Sequence, residues 1–322
     1  MRKVLVHGGL FLATAGSTFA SFLLMWGGGS ASGDFSEAVQ GSALFSLCVM
    51  LILGAHEMGH FILARHHGVE STWPYFIPLP PPVGLFGTMG AVIRIKGQIP
   101  HKNALVDIGA AGPLAGLAVA IPLLFTGLWL SHVGPAPGIS SDTFPGAQSL
   151  WAIASTLWAD YSAWADGVTL PVAQAREVGF IFGDNLLTWA LSKVVFGDLP
   201  AGQEVFAHPV FVAAWFGLLV TMLNLFPLGQ LDGGHVSYAL FGERARWVGV
   251  GVAVLMALAA LFLSASWLMW MLVTTVFVGL RHPPLVFSDA PLSPGRRFVA
   301  VLSLLAFILC VMPVPLSQGG AP

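Results

Sequence analysis

The sequence predicts an all-α polytopic membrane protein with about six to seven transmembrane helices and one short membrane-associated β-hairpin. Three observations predict it. Apolar residues make up 56% of the 322 and charged residues only 9%, with a mean hydropathy of +0.81, a balance that water-soluble domains do not show. Apolar runs near or above the ~20 residues needed to cross a bilayer recur along the chain. A proline-dense stretch, in which a continuous helix is forbidden, interrupts them.

The elements follow in chain order. Arg2 and Lys3 precede an apolar run from Val4 to Trp26, too long for the ~7–15-residue core of a signal peptide and ended by no small-x-small site, so it reads as an uncleaved first span. Further spans are expected at 41–64, 104–130, 207–230, 247–263, 266–280 and 298–314. Between the second and third lie Pro74, Pro78, Pro80, Pro81 and Pro82, after which Ala91 to Lys96 alternates apolar with basic residues. That pattern predicts a short strand or hairpin along the membrane. The long connection after residue 131 holds one amphipathic piece, Asp184 to Phe196, with Asp184 as its expected N-cap. It also carries Trp151, Trp158, Trp164 and Trp189, a residue type that favours the membrane interface. The whole, 1–322, reads as one integral membrane unit: 1–40 the first span and outer loop, 41–242 the core, 243–322 the C-terminal spans.

Charge placement orients these spans, because cytoplasmic loops keep Lys and Arg. With the N-terminus inside, Arg2, Lys3, Arg65, Arg94, Lys96, Lys102, Arg244, Arg246, Arg281, Arg296 and Arg297 fall on the inner side, and only Arg176 and Lys193 outside. The outer side collects acids instead, among them Asp34, Glu37, Asp142, Asp160, Asp166, Glu177, Asp184, Asp198 and Glu204. No basic run suggests nucleic acid as a partner. Cys48 and Cys310 lie far apart in apolar runs, so neither a disulfide framework nor a thiolate metal cluster is indicated.

An ionisable residue inside a span costs on the order of 2.5–3.5 kcal/mol on insertion scales, and so marks chemistry. The second span carries His56-Glu57-Met58-Gly59-His60. Helical positions i and i+4 lie only ~40° apart, so both imidazoles reach one metal ion, while Glu57 sits ~100° away on the same turn, beside the water of such a site. Zinc lowers the pKa of that water towards ~7, and a neighbouring carboxylate takes its proton. A catalytic zinc needs a third protein ligand. Asp232, at the inner end of the fourth span, matches the two histidines in depth; His235 and Glu70 are the rivals.

His56-Glu57-x-x-His60, followed at long range by Asn224-x-x-Pro227-x-x-x-x-Asp232-Gly233, resembles the site-2 proteases, zinc-dependent intramembrane proteases. Pro74 to Pro78, Gly87 to Ile93 and Ala110 to Gly116 resemble the connecting segments of the branch that lacks a PDZ domain and includes plastid relatives. The likeness covers about residues 41–242, with weaker similarity around Arg281-His282-Pro283-Pro284. It implies Asp232 as third ligand, Glu57 as catalytic base, Asn224 as a residue that handles substrate or oxyanion, and one Zn2+ per chain. It implies a single-span membrane protein as substrate, a lipid bilayer as surroundings, and a homo-oligomer as an open alternative. Together with the charge pattern it implies a bacterial inner membrane, with the N-terminus and the active-site opening facing the cytoplasm. A zinc transporter is the alternative of a different class; it has no need of a carboxylate between two ligands, and it would show further polar residues along a path through the bilayer.

Overall fold

A computed structural model of the protein describes residues 2–29, 33–135, 149–165, 178–279, 282–283, 285–287 and 291–320. Asp142, Asp166, Arg176, Glu177, Arg281 and Pro284, named above, lie outside the described residues, as do the side chains of Arg2, Lys3, Asp160 and Trp164.

The fold is built on helix α2, Phe35–His66. Asp34 starts it by accepting the Ser36 N–H, Glu37 sits in its first turn and Arg65 and His66 in its last, charges that complement the helix dipole. Helix α1, Arg2–Met25, precedes it. Helix α3, Lys102–Leu130, follows, its N-terminus capped by the His101 ring, which accepts from Ala104 N–H. Between lipid-facing helices the hydrophobic effect offers no driving force, so close approach of small residues has to hold them together. That is how α2 meets α3: a Cβ added at Gly59 would collide with the Ala111 carbonyl and lie 3.1 Å from the Ala115 Cβ.

Helix α4 is Leu150–Ala165 and α5 Leu186–Phe196; the first is a helix that the sequence pattern does not predict, and the cap of the second lies one residue later than expected. Asn185, not Asp184, is the N-cap, its side chain accepting from Leu187 N at 3.0 Å and Thr188 N at 2.9 Å, while Asp184 accepts from the Thr188 hydroxyl. Helix α6, Pro209–Asn224, is buried from Pro209 to Leu219. It stops at Asn224 because Pro227 has no N–H to offer and its ring clashes with the preceding turn. An irregular segment, 225–231, then leads to α7, Asp232–Phe241. A short turn at Gly242–Arg244, opened by Gly242 at φ 58, separates α7 from α8, Ala245–Phe262. Helix α9, Ser266–Val273, runs into a π-helical turn at Thr274–Val278, and α10 is Pro294–Cys310.

Among the described residues, four stretches are long and apolar enough to cross a membrane: Leu5–Met25, Phe35–His66, Lys102–Leu130 and Asp232–Phe262, the last joining α7 and α8 through the Gly242–Arg244 turn. Helices α6, α9 and α10 are shorter, with 16, 8 and 17 residues, so helix length confirms four of the expected six to seven spans and not the full count. The family of helices is nonetheless what the composition demands, and lipid-length apolar helices dominate the fold.

The expected hairpin is present. Strand β1, Tyr75–Pro78, pairs antiparallel with β2, Thr88–Val92. The strand begins earlier than 91–96 because Gly87 turns the chain at φ 79 and the Thr88 hydroxyl bonds both Ile77 O and Gly90 N. Pairing continues beyond Val92 through Ser71↔Ile95 and Lys96 N to Glu70 O at 2.8 Å. The tip is seated by Phe86, which stacks on Phe216 at 4.6 Å and lies 5.4 Å from Trp26. Two further pairs tie the long connection after residue 131: β3, His132–Pro135, with β5, Gln203–Phe206, and β4, Val178–Phe182, with β6, Leu316–Gly320. Trp151, Trp158 and Trp189 of this connection stand exposed. Cys48 and Cys310 are both buried and unpaired.

Candidate metal centre

His56 and His60 project from the same face of α2, and both are buried. Their Nε2 atoms stand 3.2 Å apart. Asp232, the first residue of α7, reaches them from the far side: Oδ2 is 3.2 Å from His56 Nε2 and Oδ1 is 3.3 Å from His60 Nε2. Bonds of ~2.1 Å to a tetrahedral zinc would set neighbouring donors about 3.4 Å apart, so the three separations fit such an ion closely. Among the described residues, the group of His, Cys, Asp and Glu side chains near enough together to hold a metal is His56, His60 and Asp232.

The orientation of His60 is fixed from behind. Its Nδ1 lies 2.7 Å from the Ile108 carbonyl, and because a carbonyl only accepts, Nδ1 carries the proton and Nε2 presents its lone pair to the metal position. The carbonyl belongs to α3, where the residue one turn later normally covers it; here that residue is Gly112. A Cβ on Gly112 would collide with the His60 ring, and one on Gly116 would lie 3.3 Å from His56 Nδ1. A third small residue, Gly109, leaves room for α7: a Cβ there would lie 2.8 Å from His235 Cβ and 3.1 Å from Asp232 O. Gly112 and Gly116 are therefore the bed on which the two imidazoles rest, and Gly109 is the seat of α7.

Asp232 reaches the histidines because 225–231 folds back tightly. Leu228 N bonds Phe226 O at 2.7 Å and Leu231 N bonds Leu228 O at 3.0 Å, and Gly229 takes a φ of 47. Asn224, at the end of α6, has its amide nitrogen 3.2 Å from His56 Nε2. Glu57 is buried beside the histidines and takes a backbone hydrogen bond from Ile93. These residues open into one cavity, whose other wall is Ala91, Ile93 and Ile95 of the hairpin.

Of the residues singled out in the sequence, His56, Glu57, His60, Asn224 and Asp232 meet in this cavity. His235 and Glu70, the rival ligands, do not join the donor set. His235 lines the cavity but turns its Nδ1 to His282 at 2.7 Å. Glu70 lies on a separate surface with Arg65 and Lys96. The Ile108 carbonyl and the clearance at Gly112 and Gly116 carry no signal in a linear reading, since they depend on which helix faces α2.

Residues 44–264, more than half of the chain, match peptidase family M50. The chain belongs to that family. In M50, the site-2 protease family, the match spans both motifs and the hairpin between them. The chain is also similar to two chloroplastic proteins of Arabidopsis thaliana. The probable zinc metalloprotease EGY2 is 28% identical over 280 residues, covering 85% of this chain and 42% of the relative. The probable zinc metalloprotease EGY1 is 28% identical over 272 residues, covering 83% and 42%. This chain spans less than half the length of these relatives. Family and relatives together support a zinc metalloprotease, and the donor set fits its metal.

Proposed function

We propose that this M50 protein is an intramembrane zinc endopeptidase that hydrolyses peptide bonds within or near transmembrane segments, in regulated intramembrane proteolysis. The observation that carries the reading is the convergence, in one buried cavity, of a three-donor metal set, a carboxylate and a strand edge. His56, His60 and Asp232 would hold the zinc, which when bound would supply Lewis acidity to a water and to the scissile carbonyl. Glu57 takes the proton from that water and delivers it to the leaving amine. Asn224 donates from its amide to the oxyanion or to the substrate backbone, a contribution worth about 10²–10³ in rate at comparable sites. A helical span hides its carbonyls in its own hydrogen bonds, so the substrate must unwind. The backbone from Ala91 to Ile95, which lines the cavity, receives it by strand addition, a mode indifferent to substrate sequence.

The substrate is a single-span membrane protein. The N-terminus and the cavity mouth face the cytoplasm, a reading supported by the inner placement of Arg65, Lys102 and Arg246 against the acidic outer connection. The relatives are chloroplastic, so the bacterial inner membrane stays a proposal from the charge pattern and the family resemblance. The test is to purify wild type and Glu57→Gln in detergent, measure zinc, and incubate both with a panel of single-span substrates. Equal zinc with cleavage only by wild type supports the reading. Equal cleavage by both excludes Glu57 as the base, and zinc flux without cleavage, read after reconstitution in sealed vesicles, favours a transporter.

A further inference from the structure

The residue before the Ile108 carbonyl is Asp107, and its environment is unusual for a chain with so few charges. Its side chain is 11% exposed and receives three N–H contacts from Arg296 at the start of α10: Nε at 3.2 Å to each oxygen and Nη2 at 3.0 Å to Oδ2. The same Oδ2 lies 2.9 Å from His67 Nε2, and His67 caps the end of α2. Two adjacent residues of α3 therefore take two histidines of α2, Ile108 taking His60 and Asp107 taking His67, two turns further along. One such contact leaves a helix pair free to slide or rotate; two at neighbouring positions of one helix fix both the register and the rotation. The Arg296 fork locks the carboxylate between them, in the paired geometry that a lysine cannot reproduce.

We propose that Asp107, held by Arg296 and His67, is a positioning residue for the metal ligand His60, and thereby sets how firmly this chain retains its metal. The line of action is short. A shift of Asp107 moves the next carbonyl, that carbonyl aims the His60 ring, and the ring has one bonding direction. Partners of this kind behind a metal ligand typically control 10–100-fold in metal affinity. The inference rests on the reading of His60 as a zinc ligand.

The experiment loads the full chain with zinc in detergent and follows its release to a chelating dye. Asp107→Asn is expected to release zinc about 10–100-fold faster than wild type. Arg296→Lys, which keeps the charge and loses the fork, is expected to fall between the two, and it carries the test should Asp107→Asn not fold. Asn103→Ala is the control. Its side chain accepts from Ser293 N at 3.0 Å, so it anchors the same segment ahead of α10 without leading to His60, and it is expected to release zinc as wild type does. Wild-type release from both Asp107→Asn and Arg296→Lys would overturn the proposal, as would equal acceleration in Asn103→Ala, since the effect would then be general loosening. A wild type that binds no more zinc than His60→Ala would instead overturn the functional reading beneath it.

Discussion

Helices α3 and α8 are both apolar, both contain glycines, and use them in opposite ways. In α3 the glycines are contact points: Gly112 lies against the His60 ring, Gly116 against His56 and Gly109 against α7. In α8, a Cβ at Gly251 would meet nothing within 4 Å, and Val254, Leu255 and Leu258 around it are exposed. Gly112 and Gly116 thus shape the candidate metal centre, whereas Gly251 only loosens the backbone of α8. What separates them is the partner. Helix α3 packs on the span that carries the chemistry, whereas much of α8 offers its surface to lipid.

That contrast is broken most severely at Gly112. Gly112→Ala places a methyl where the His60 ring stands, and more than about 100-fold loss of zinc affinity is expected, read by metal content after dialysis against a chelator and by loss of cleavage. Gly116→Ala meets His56 at 3.3 Å, a distance that a small ring shift relieves, so about tenfold weaker zinc binding is expected in the same assay. A methyl at Gly251 has the reverse sign: Gly251→Ala is expected to leave zinc untouched and to stabilise the helix by up to ~1 kcal/mol, seen as a raised thermal midpoint. Outside the helical core, Asn185→Ala removes the cap of α5 and is expected to cost about 1 kcal/mol. Its mark is faster amide exchange in α5, with zinc content unchanged.

The metal site was more legible in the sequence than the architecture around it. His56, Glu57 and His60 declare themselves through a spacing that only a helix turns into one face. Asp232 is recoverable because a carboxylate at the end of an apolar run needs a reason to be there. The bed beneath the ligands is not recoverable in the same way: Gly109 to Gly116 reads from sequence as close packing, which it is, but what packs there is a pair of imidazoles. The span at 207–230 reads as continuous by its apolar content, while Pro227 decides that the helix ends at Asn224 and that irregular chain carries Asp232 inward. At α5, Asp184 and Asn185 are both competent caps, and the choice between them turns on the Thr188 hydroxyl, which pairs back to Asn185 N at 2.9 Å.

The shortness of α6 has a mechanical consequence. Its 16 residues cover about 24 Å at 1.5 Å each, less than the ~30 Å thickness of a hydrocarbon layer. A helix in contact with lipid would answer such a deficit by thinning the bilayer around it. Helix α6 is walled in by its neighbours and is nearly free of that contact, so the missing length is made up by protein in the segment that leads to Asp232. Changes in bilayer thickness therefore bear on the lipid-facing helices, and the segment that brings Asp232 to the two histidines is shielded from the elastic state of the membrane.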